Sequence, residues 1–346
     1  MAGRQLAFVI DLNKCVGCQT CVVACKVDWT NDKGMDEHWW MTVSTMPGRG
    51  YPRDWSEMGG GHDAEGGIVL GKVPDLDDYG GSWEFNFEEV FLGGRSATER
   101  PPLAPVSRPT WGPNWDEEIG AGEWPNAYFF YLPRLCNHCT WPSCVAACPR
   151  QAIVKRPEDG VVEVSDPRAC ETCADTPCMA ACPYKEIFHH GTTGHATKCH
   201  ACAPRIDVGV APACVRMCPA RCIWVGFLDD EEGPVHQLVE RWKVALPLRP
   251  DFGNRPNVYY VPPISPPRLG PDGRPGLDEP RIPTEYLRSL FGPEVDAALA
   301  TLRAEMAKRR RRPKEPSALM DLLIAKRWPE LLGPFQEDPT AREPTR

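Results

Sequence analysis

Apolar residues fall along this chain in short runs, and the clearest of them lead into or out of cysteine-rich loops. Residues 6–12 form a nearly continuous apolar stretch, which predicts a strand entering the first loop. A short helix over Val22–Trp29 is expected to follow it. The run AYFFYL at 127–132 predicts a buried strand feeding a second loop, and Val161–Val164 predicts another before a third. The run IWVGFL at 223–228 is expected to pair back on the first unit. Beyond Pro247 the pattern changes. VPPISPPRLGPDGRPG reads as extended chain that cannot form a sheet interior. Pro293 then opens a helix with Val295, Leu299, Leu302 and Met306 on one face. Arg309–Arg312 end it before Pro313, and four cations at a solvated helix end suit the macrodipole better than they suit RNA. The tail to Arg346 is expected to wrap a neighbour or stay loose.

Composition narrows the class. At 346 residues, 42% hydrophobic and 25% charged, the chain can build packed cores and is not disordered by composition. A formal net charge of −8 argues against a dedicated nucleic-acid binder. No run approaches the ~20 apolar residues of a membrane helix. The N-terminus, MAGRQLAFVIDLNKC, lacks the charged-then-apolar pattern of a secretory signal, and a cysteine motif already begins at Cys15. The outliers are 17 cysteines and 38 prolines. So many cysteines without a secretory signal point to metal ligation before disulfides.

The spacing of the cysteines sharpens this. The groups are Cys15-x2-Cys18-x2-Cys21-x3-Cys25, Cys136-x2-Cys139-x4-Cys144-x3-Cys148, Cys170-x2-Cys173-x4-Cys178-x3-Cys182 and Cys199-x2-Cys202-x11-Cys214-x3-Cys218. The first has the spacing of a bacterial ferredoxin run, and the others lengthen only the middle gap. A cubane needs four thiolates, three from a tight loop and a fourth that reaches the other cluster of a pair. The fourth cysteine is expected to begin a helix. Pro149, Pro183 and Pro219 follow it in three groups, where the first helical turn would accept them; Lys26 stands there in the first. A zinc ribbon also uses C-x2-C pairs but has no need of a repeated x3-Cys-Pro ending. Cys222 remains over and reads as a packed thiol.

The first and fourth groups lie far apart in sequence and the second and third are adjacent, so the simplest reading nests one two-cluster unit inside another. With fourth ligands exchanged, Cys15, Cys18, Cys21 and Cys218 hold one cluster, and Cys25, Cys199, Cys202 and Cys214 its partner. Cys136, Cys139, Cys144 and Cys182 hold a third, and Cys148, Cys170, Cys173 and Cys178 a fourth. The expected fold is α+β: two nested bacterial-ferredoxin-like two-cluster units, a long loop insertion, and an extended, partly helical C-terminal tail. The first unit takes residues 1–30 with 195–246, the insertion 31–126, the second unit 127–194, and the extension 247–346. The insertion carries MPGRGYPRDW, GGGHDAEGG and WGPNWDEE; its aromatics suit covering a cluster or meeting a partner subunit. Gly59–Gly61 lack the G-K-[ST] ending of a phosphate loop and read as irregular surface.

No nucleophile motif, dinucleotide fingerprint or H-E-x-x-H is present, so no catalytic residue is assigned. His138 and His200 sit inside cysteine loops, where hydrogen bonding or packing is expected rather than ligation. His189 and His190 are adjacent and are expected to point apart. Four fully ligated clusters in one chain make a wire, not a catalyst.

These motifs resemble the iron–sulfur beta subunits of the dimethyl sulfoxide reductase superfamily, in the branch with nitrate reductase, ethylbenzene dehydrogenase, dimethyl sulfide dehydrogenase, selenate reductase and chlorate reductase. DLNKCVGCQTCVVACK, TMPGRGYPRDW, CNHCTWPSCVAACPR, CPYKEIF and APACVRMCPARCIWVGFLDDEEGP carry the likeness, with WKVALPL, NVYYVPP and PTEYLRSLFGPEVDAALATL. The resemblance implies an electron-transfer subunit between a molybdopterin-containing alpha subunit and a haem b gamma subunit or membrane anchor. It also implies periplasmic location by co-export with a partner bearing a twin-arginine signal; the cytoplasmic face of the membrane is the alternative. Several members of the branch carry tryptophan at the second ligand position of the third group and hold a [3Fe–4S] cluster there. Cys173 stands at that position here, so four [4Fe–4S] clusters are expected, with [3Fe–4S] at Cys148, Cys170, Cys173 and Cys178 as the alternative. A free-standing polyferredoxin is the competing function. The substrate and direction of electron flow belong to the partners.

Overall fold

A computed structural model describes residues 4–80, 120–170, 173 and 175–338. The WGPNWDEE stretch of the insertion lies outside the described residues. At the centre is a four-stranded sheet in the order Ile223–Phe227, Leu6–Asp11, Val258–Val261, Leu246–Pro247. Leu6–Asp11 runs antiparallel to Ile223–Phe227, with Phe8 opposite Val225, and parallel to Val258–Val261, with Phe8 opposite Val258. Every residue of Leu6–Asp11 is buried, because both faces of the sheet are covered. Side chains alternate across a strand. Leu6, Phe8 and Ile10 therefore join the core that holds the cysteines, while Ala7 and Val9 face a second core with Leu302, Leu319, Leu323 and Leu331 of the C-terminal helices.

The predicted strand pairing of 223–228 on the first strand is present. The strand expected at 127–132 is shifted to Phe130–Leu135, and its partner is Met41–Met46, inside what the sequence reads as irregular insertion. Val162–Val164 pairs with Ile153–Lys155, and Phe188–His189 with Ala196–Thr197. These short ladders close the chain between successive cysteine groups. Strand Val258–Val261 places Val261, the first residue of the proline-rich stretch, in the central sheet, and Pro267–Leu269 pairs with Pro275–Pro280 in a separate ribbon. That ribbon has no third strand, which is where proline's missing N–H is tolerated.

Three expectations are corrected. The proline after the fourth cysteine opens a turn, not a helix. Gln151 N–H bonds Cys148 O, Lys185 N–H bonds Cys182 O and Arg221 N–H bonds Cys218 O, so Pro149, Pro183 and Pro219 occupy the second position of three equivalent turns. Gln151, Lys185 and Arg221 leave these turns with φ between 51° and 55°. The helix carries the third cysteine instead, as in Ser143–Ala146, Pro177–Ala181 and Ala213–Arg216. Next, the glycine stretch at 59–61 is a packing surface. A Cβ on Gly60, at φ 110°, would lie 3.0 Å from the backbone of Ala180, Ala181 and Pro183 in the third cysteine group.

Finally, the tail is not loose as far as residue 338. The helix Val295–Arg310 buries Val295, Leu299 and Leu302 as predicted, and Ala318–Ile324 and Pro329–Leu332 bury Leu319, Leu323, Leu331 and Leu332 against the same chain. Ala211 N–H donates to Phe335 O, and Phe335 meets Phe227 with ring centroids 5.7 Å apart. Ser317 caps Ala318–Ile324: its hydroxyl accepts from Met320 N at 3.1 Å and donates to Glu305 at 2.7 Å. Ser317→Ala is expected to lower stability by about 1–2 kcal/mol, because a cap and a charge-assisted bond go together. Thermal unfolding would read this, and an unchanged midpoint would remove the cap from the account. Among the described residues, no helix is long and apolar enough to cross a membrane.

Candidate functional site

Each cysteine group begins where a strand or helix delivers it: Cys15 after Leu6–Asp11, Cys136 after Phe130–Leu135, Cys170 at the end of Pro167–Cys170, and Cys199 after Ala196–Thr197. The C-x2-C turn then repeats one backbone feature. Gly17, His138 and Ala201, each just before the second cysteine, have φ of 66°, 43° and 54°. A left-handed residue there turns successive N–H groups towards one centre, and His138 and Ala201 hold it without glycine's freedom. Ala201 N–H points at Cys199 Sγ at 3.4 Å.

The folded chain brings the cysteines into four gatherings. Burial raises the Cys21 thiol to about 12, and the charges that also bear on it are those of Cys15, Cys218 and Cys18. Burial raises Cys214 well above the ordinary thiol range, with Cys202, Cys25 and Cys199 as its neighbours. Cys144 is likewise raised by burial, beside Cys182, Cys136 and Cys139. Cys178, pushed to about 12 by burial, lies beside Cys148, Cys170 and Cys173. In each gathering one thiol comes from a different group than the other three.

Two of these gatherings line small cavities of about 10 and 20 Å³, the first with Cys25, Cys199, Cys202 and Cys214 in its wall and the second with Cys148, Cys170, Cys173 and Cys178. A single zinc ion draws its thiolates to about 2.3 Å. Among the described residues, no group of three or more Cys, His, Asp or Glu is arranged to hold one metal ion. The donor chemistry agrees, since buried thiols whose protons are held this tightly become thiolates only when a metal replaces the proton.

Burial divides the gatherings. All of Cys136, Cys139, Cys144 and Cys182 are buried, as are Cys25, Cys199, Cys202 and Cys214. In the other two, Cys18 is exposed and Cys15, Cys148 and Cys173 are half-buried. The two buried sets adjoin, because after burial itself Cys136 is the group whose charge raises Cys199 most. Cys21 bears on both Cys25 and Cys214, which joins the Cys18 set to the chain on one side.

Several residues around the sulfurs were not legible as such. Cys222 is packed as expected, and beyond that its Sγ lies 3.4 Å from Cys218 Sγ and its hydrogen bonds lower both Cys15 and Cys218, the latter to about 6. Trp29 donates its Nε1–H to Cys202 Sγ at 3.2 Å, and Trp40 from the start of the insertion lines the same site. His200 packs edge-on against Trp29, with its Nδ1 accepting from Ala203 N–H. His138 also hydrogen-bonds, accepting from Val162 N–H at 3.0 Å. His190 accepts from Thr192 and Thr193 N–H and is buried, while His189 is half-buried on its strand. Arg134, two residues before Cys136, donates to Tyr51 O and Tyr184 O and pairs with Glu186 at 3.0 Å. For Trp29 and Arg134 the only sequence signal is their nearness to a cysteine, whereas His138 and His200 hydrogen-bond and pack as the sequence predicts.

Comparison with known proteins places the same segments. Residues 6–27 match the 4Fe-4S binding domain and residues 127–228 the 4Fe-4S dicluster domain. The chain is 50% identical to the dimethylsulfide dehydrogenase subunit beta of Rhodovulum sulfidophilum, covering 96% of this chain and 99% of that protein. It is also 50% identical to the selenate reductase subunit beta of Thauera selenatis, over 94% and 97% of the two chains. With respiratory nitrate reductase 2 beta chain of Escherichia coli the identity is 31%, over 88% and 79%. The chain thus belongs to the iron–sulfur beta subunits of the dimethyl sulfoxide reductase superfamily, electron-transfer subunits that are not catalytic on their own.

Proposed function

We propose that this chain carries electrons through four [4Fe–4S] clusters, held by the four sets of cysteines in two nested two-cluster units, between a molybdenum catalytic subunit and a haem b subunit. The ligand sets are Cys15, Cys18, Cys21 and Cys218; Cys25, Cys199, Cys202 and Cys214; Cys136, Cys139, Cys144 and Cys182; and Cys148, Cys170, Cys173 and Cys178. The observation that carries the reading is the gradient of burial: two adjoining sets wholly buried, flanked by two sets with exposed or half-buried thiols. A relay needs that arrangement. Its ends must meet partners, and its middle must be shielded from solvent and stray reactions. Each cluster, when bound, supplies a one-electron couple whose potential is set by burial and by hydrogen bonds to sulfur. The protein's own part is to hold the thiolates, aim N–H groups at them and exclude water.

Val16, Val23 and Val27 are 62%, 56% and 60% exposed around the exposed Cys18. This apolar rim favours a permanent partner over a freely diffusing carrier. On this reading the complex works in the periplasm, exported with a partner that bears the signal; the likeness to the dimethylsulfide dehydrogenase and selenate reductase subunits supports that reading.

Anaerobic purification of the complex from its host is expected to bring down a large molybdenum subunit and a haem protein, with about sixteen iron atoms on this chain. The intact complex should show no strong [3Fe–4S] EPR signal, because Cys173 completes the set with Cys148, Cys170 and Cys178. A chain recovered alone with its iron and no molybdenum would make it a free polyferredoxin instead.

A further inference from the structure

The two buried cysteine sets meet at a polar contact that belongs to neither ligand set. Lys198 is 2% exposed, although nothing about its place next to Cys199 requires a charged residue. An ammonium has three N–H donors and no acceptor. In Lys198 two of them go to Val162 O and to Cys199 O at 2.6 Å, and the Cys136 thiol is the charge that bears most on the amine. The amine thus lies under the influence of a thiol of the second group while its own backbone leads into the fourth. His138 makes the reverse connection. It belongs to the second group, and its left-handed backbone turns the ring towards the fourth. Nδ1 accepts from Val162 N–H at 3.0 Å, so the neutral ring carries its proton on Nε2, which faces Cys199 Sγ at 3.9 Å. Val162 therefore fixes both groups, its carbonyl holding the lysine and its N–H setting the tautomer of the histidine.

We infer that Lys198 and His138 are positioning residues for electron transfer, forming a polar junction that raises the reduction potentials of the two inner clusters. This rests on the ligand sets proposed above. Adding an electron to a thiolate-bound cluster adds negative charge to a buried site. A buried cation and an N–H aimed at sulfur both stabilise that added charge, and little solvent is present to screen them. The junction also makes the step between the two nested units the point where their potentials are matched.

The test is an EPR-monitored redox titration of the anaerobically purified complex, with iron content measured in parallel. Lys198→Met, with full iron, is expected to shift the reduction equilibrium of both inner clusters at least tenfold towards the oxidised form, a fall of about 59 mV for one electron. The outer clusters should move less, and Lys198→Arg should recover most of the shift. His138→Leu should lower only the cluster of Cys199. Full iron with unmoved potentials in Lys198→Met overturns the inference, as does an equal shift of all four. If Lys198→Met loses iron, Lys198→Gln reads the same shift; iron loss in both neutral variants but not in Lys198→Arg would make the lysine a brace and overturn the tuning role. Failure of the ligand sets themselves is seen separately, as a wild-type complex without four clusters.

Discussion

Cys25→Ser is expected to abolish the EPR signal of the cluster held by the fourth cysteine group and to leave that of the first group in place. Cys25 sits in the first group's helix, Thr20–Trp29, four residues beyond Cys21. Its thiol nevertheless lines the space enclosed by Cys199, Cys202 and Cys214. The helix explains the crossing, because one turn of about 3.6 residues carries a side chain past one centre and onto the next along the same face. A cluster reduced from four thiolates to three thiolates and a serine should lose iron or convert, removing up to about four of roughly sixteen iron atoms. Matched variants identify the signal. Cys202→Ser should remove the same resonance as Cys25→Ser, and Cys18→Ser a different one. If Cys25→Ser instead matches Cys18→Ser, the exchange of fourth ligands is wrong and each group closes on itself.

The second large effect lies outside the sulfurs. Arg134→Met should destabilise the protein by about 3–5 kcal/mol, because it leaves Glu186 as a buried carboxylate without its cation. The pair is dry, with side chains 2% and 4% exposed. Burial already raises the Glu186 carboxyl to about 7, and Arg134 pulls against that rise. The guanidinium also stacks 3.7 Å from the Trp55 ring and donates to Tyr51 O and Tyr184 O. It thereby ties the strand that delivers Cys136 to the turn after Cys182, two cysteines of one proposed ligand set. The melting temperature of the holoprotein should fall by several degrees. The double variant Arg134→Met, Glu186→Leu should recover a large part of the loss, since an apolar pair of similar volume is often as stable as the ions. A single variant that melts like the wild type would show that the tie is not needed.

How much of this could be read in the sequence depends on what kind of constraint a residue obeys. Cysteine spacing is legible because one loop must wrap one centre, and the apolar runs at 6–12 and 223–228 are legible because a strand buried on both faces needs unbroken apolar residues. The proline turns were misread: proline is allowed both at a helix start and in the second position of a turn, and only the positive φ at Gln151, Lys185 and Arg221 decides. Cys222 looked spare because spacing ignores a residue that meets Cys15 and Cys218 only through the fold. Gly60 looked like surface because its constraint is the backbone of Ala180 and Ala181, distant in sequence. The tail at 318–338 reads as loose or wrapped on a neighbour because nothing in its sequence names the surface its apolar residues meet, yet Leu319, Leu323 and Leu331 find the far face of the central sheet. Long-range contact is what decides Gly60 and the tail, whereas the proline turns are decided locally.

The central strand has a consequence for how the protein is made. Leu6–Asp11 leaves the ribosome long before its partners Ile223–Phe227 and Val258–Val261, which follow every cysteine group. Until they arrive, the strand has no neighbour to pair with, and the thiols just after it have no protected place to go. Such distant pairing is slow and leaves apolar edges open. The segment from Met41 to Thr197, by contrast, can close its own ladders as it emerges. Maturation should therefore run from the inside outwards, with the N-terminal thiols the last to be sealed and the most in need of a chaperone or a reducing compartment while synthesis is under way.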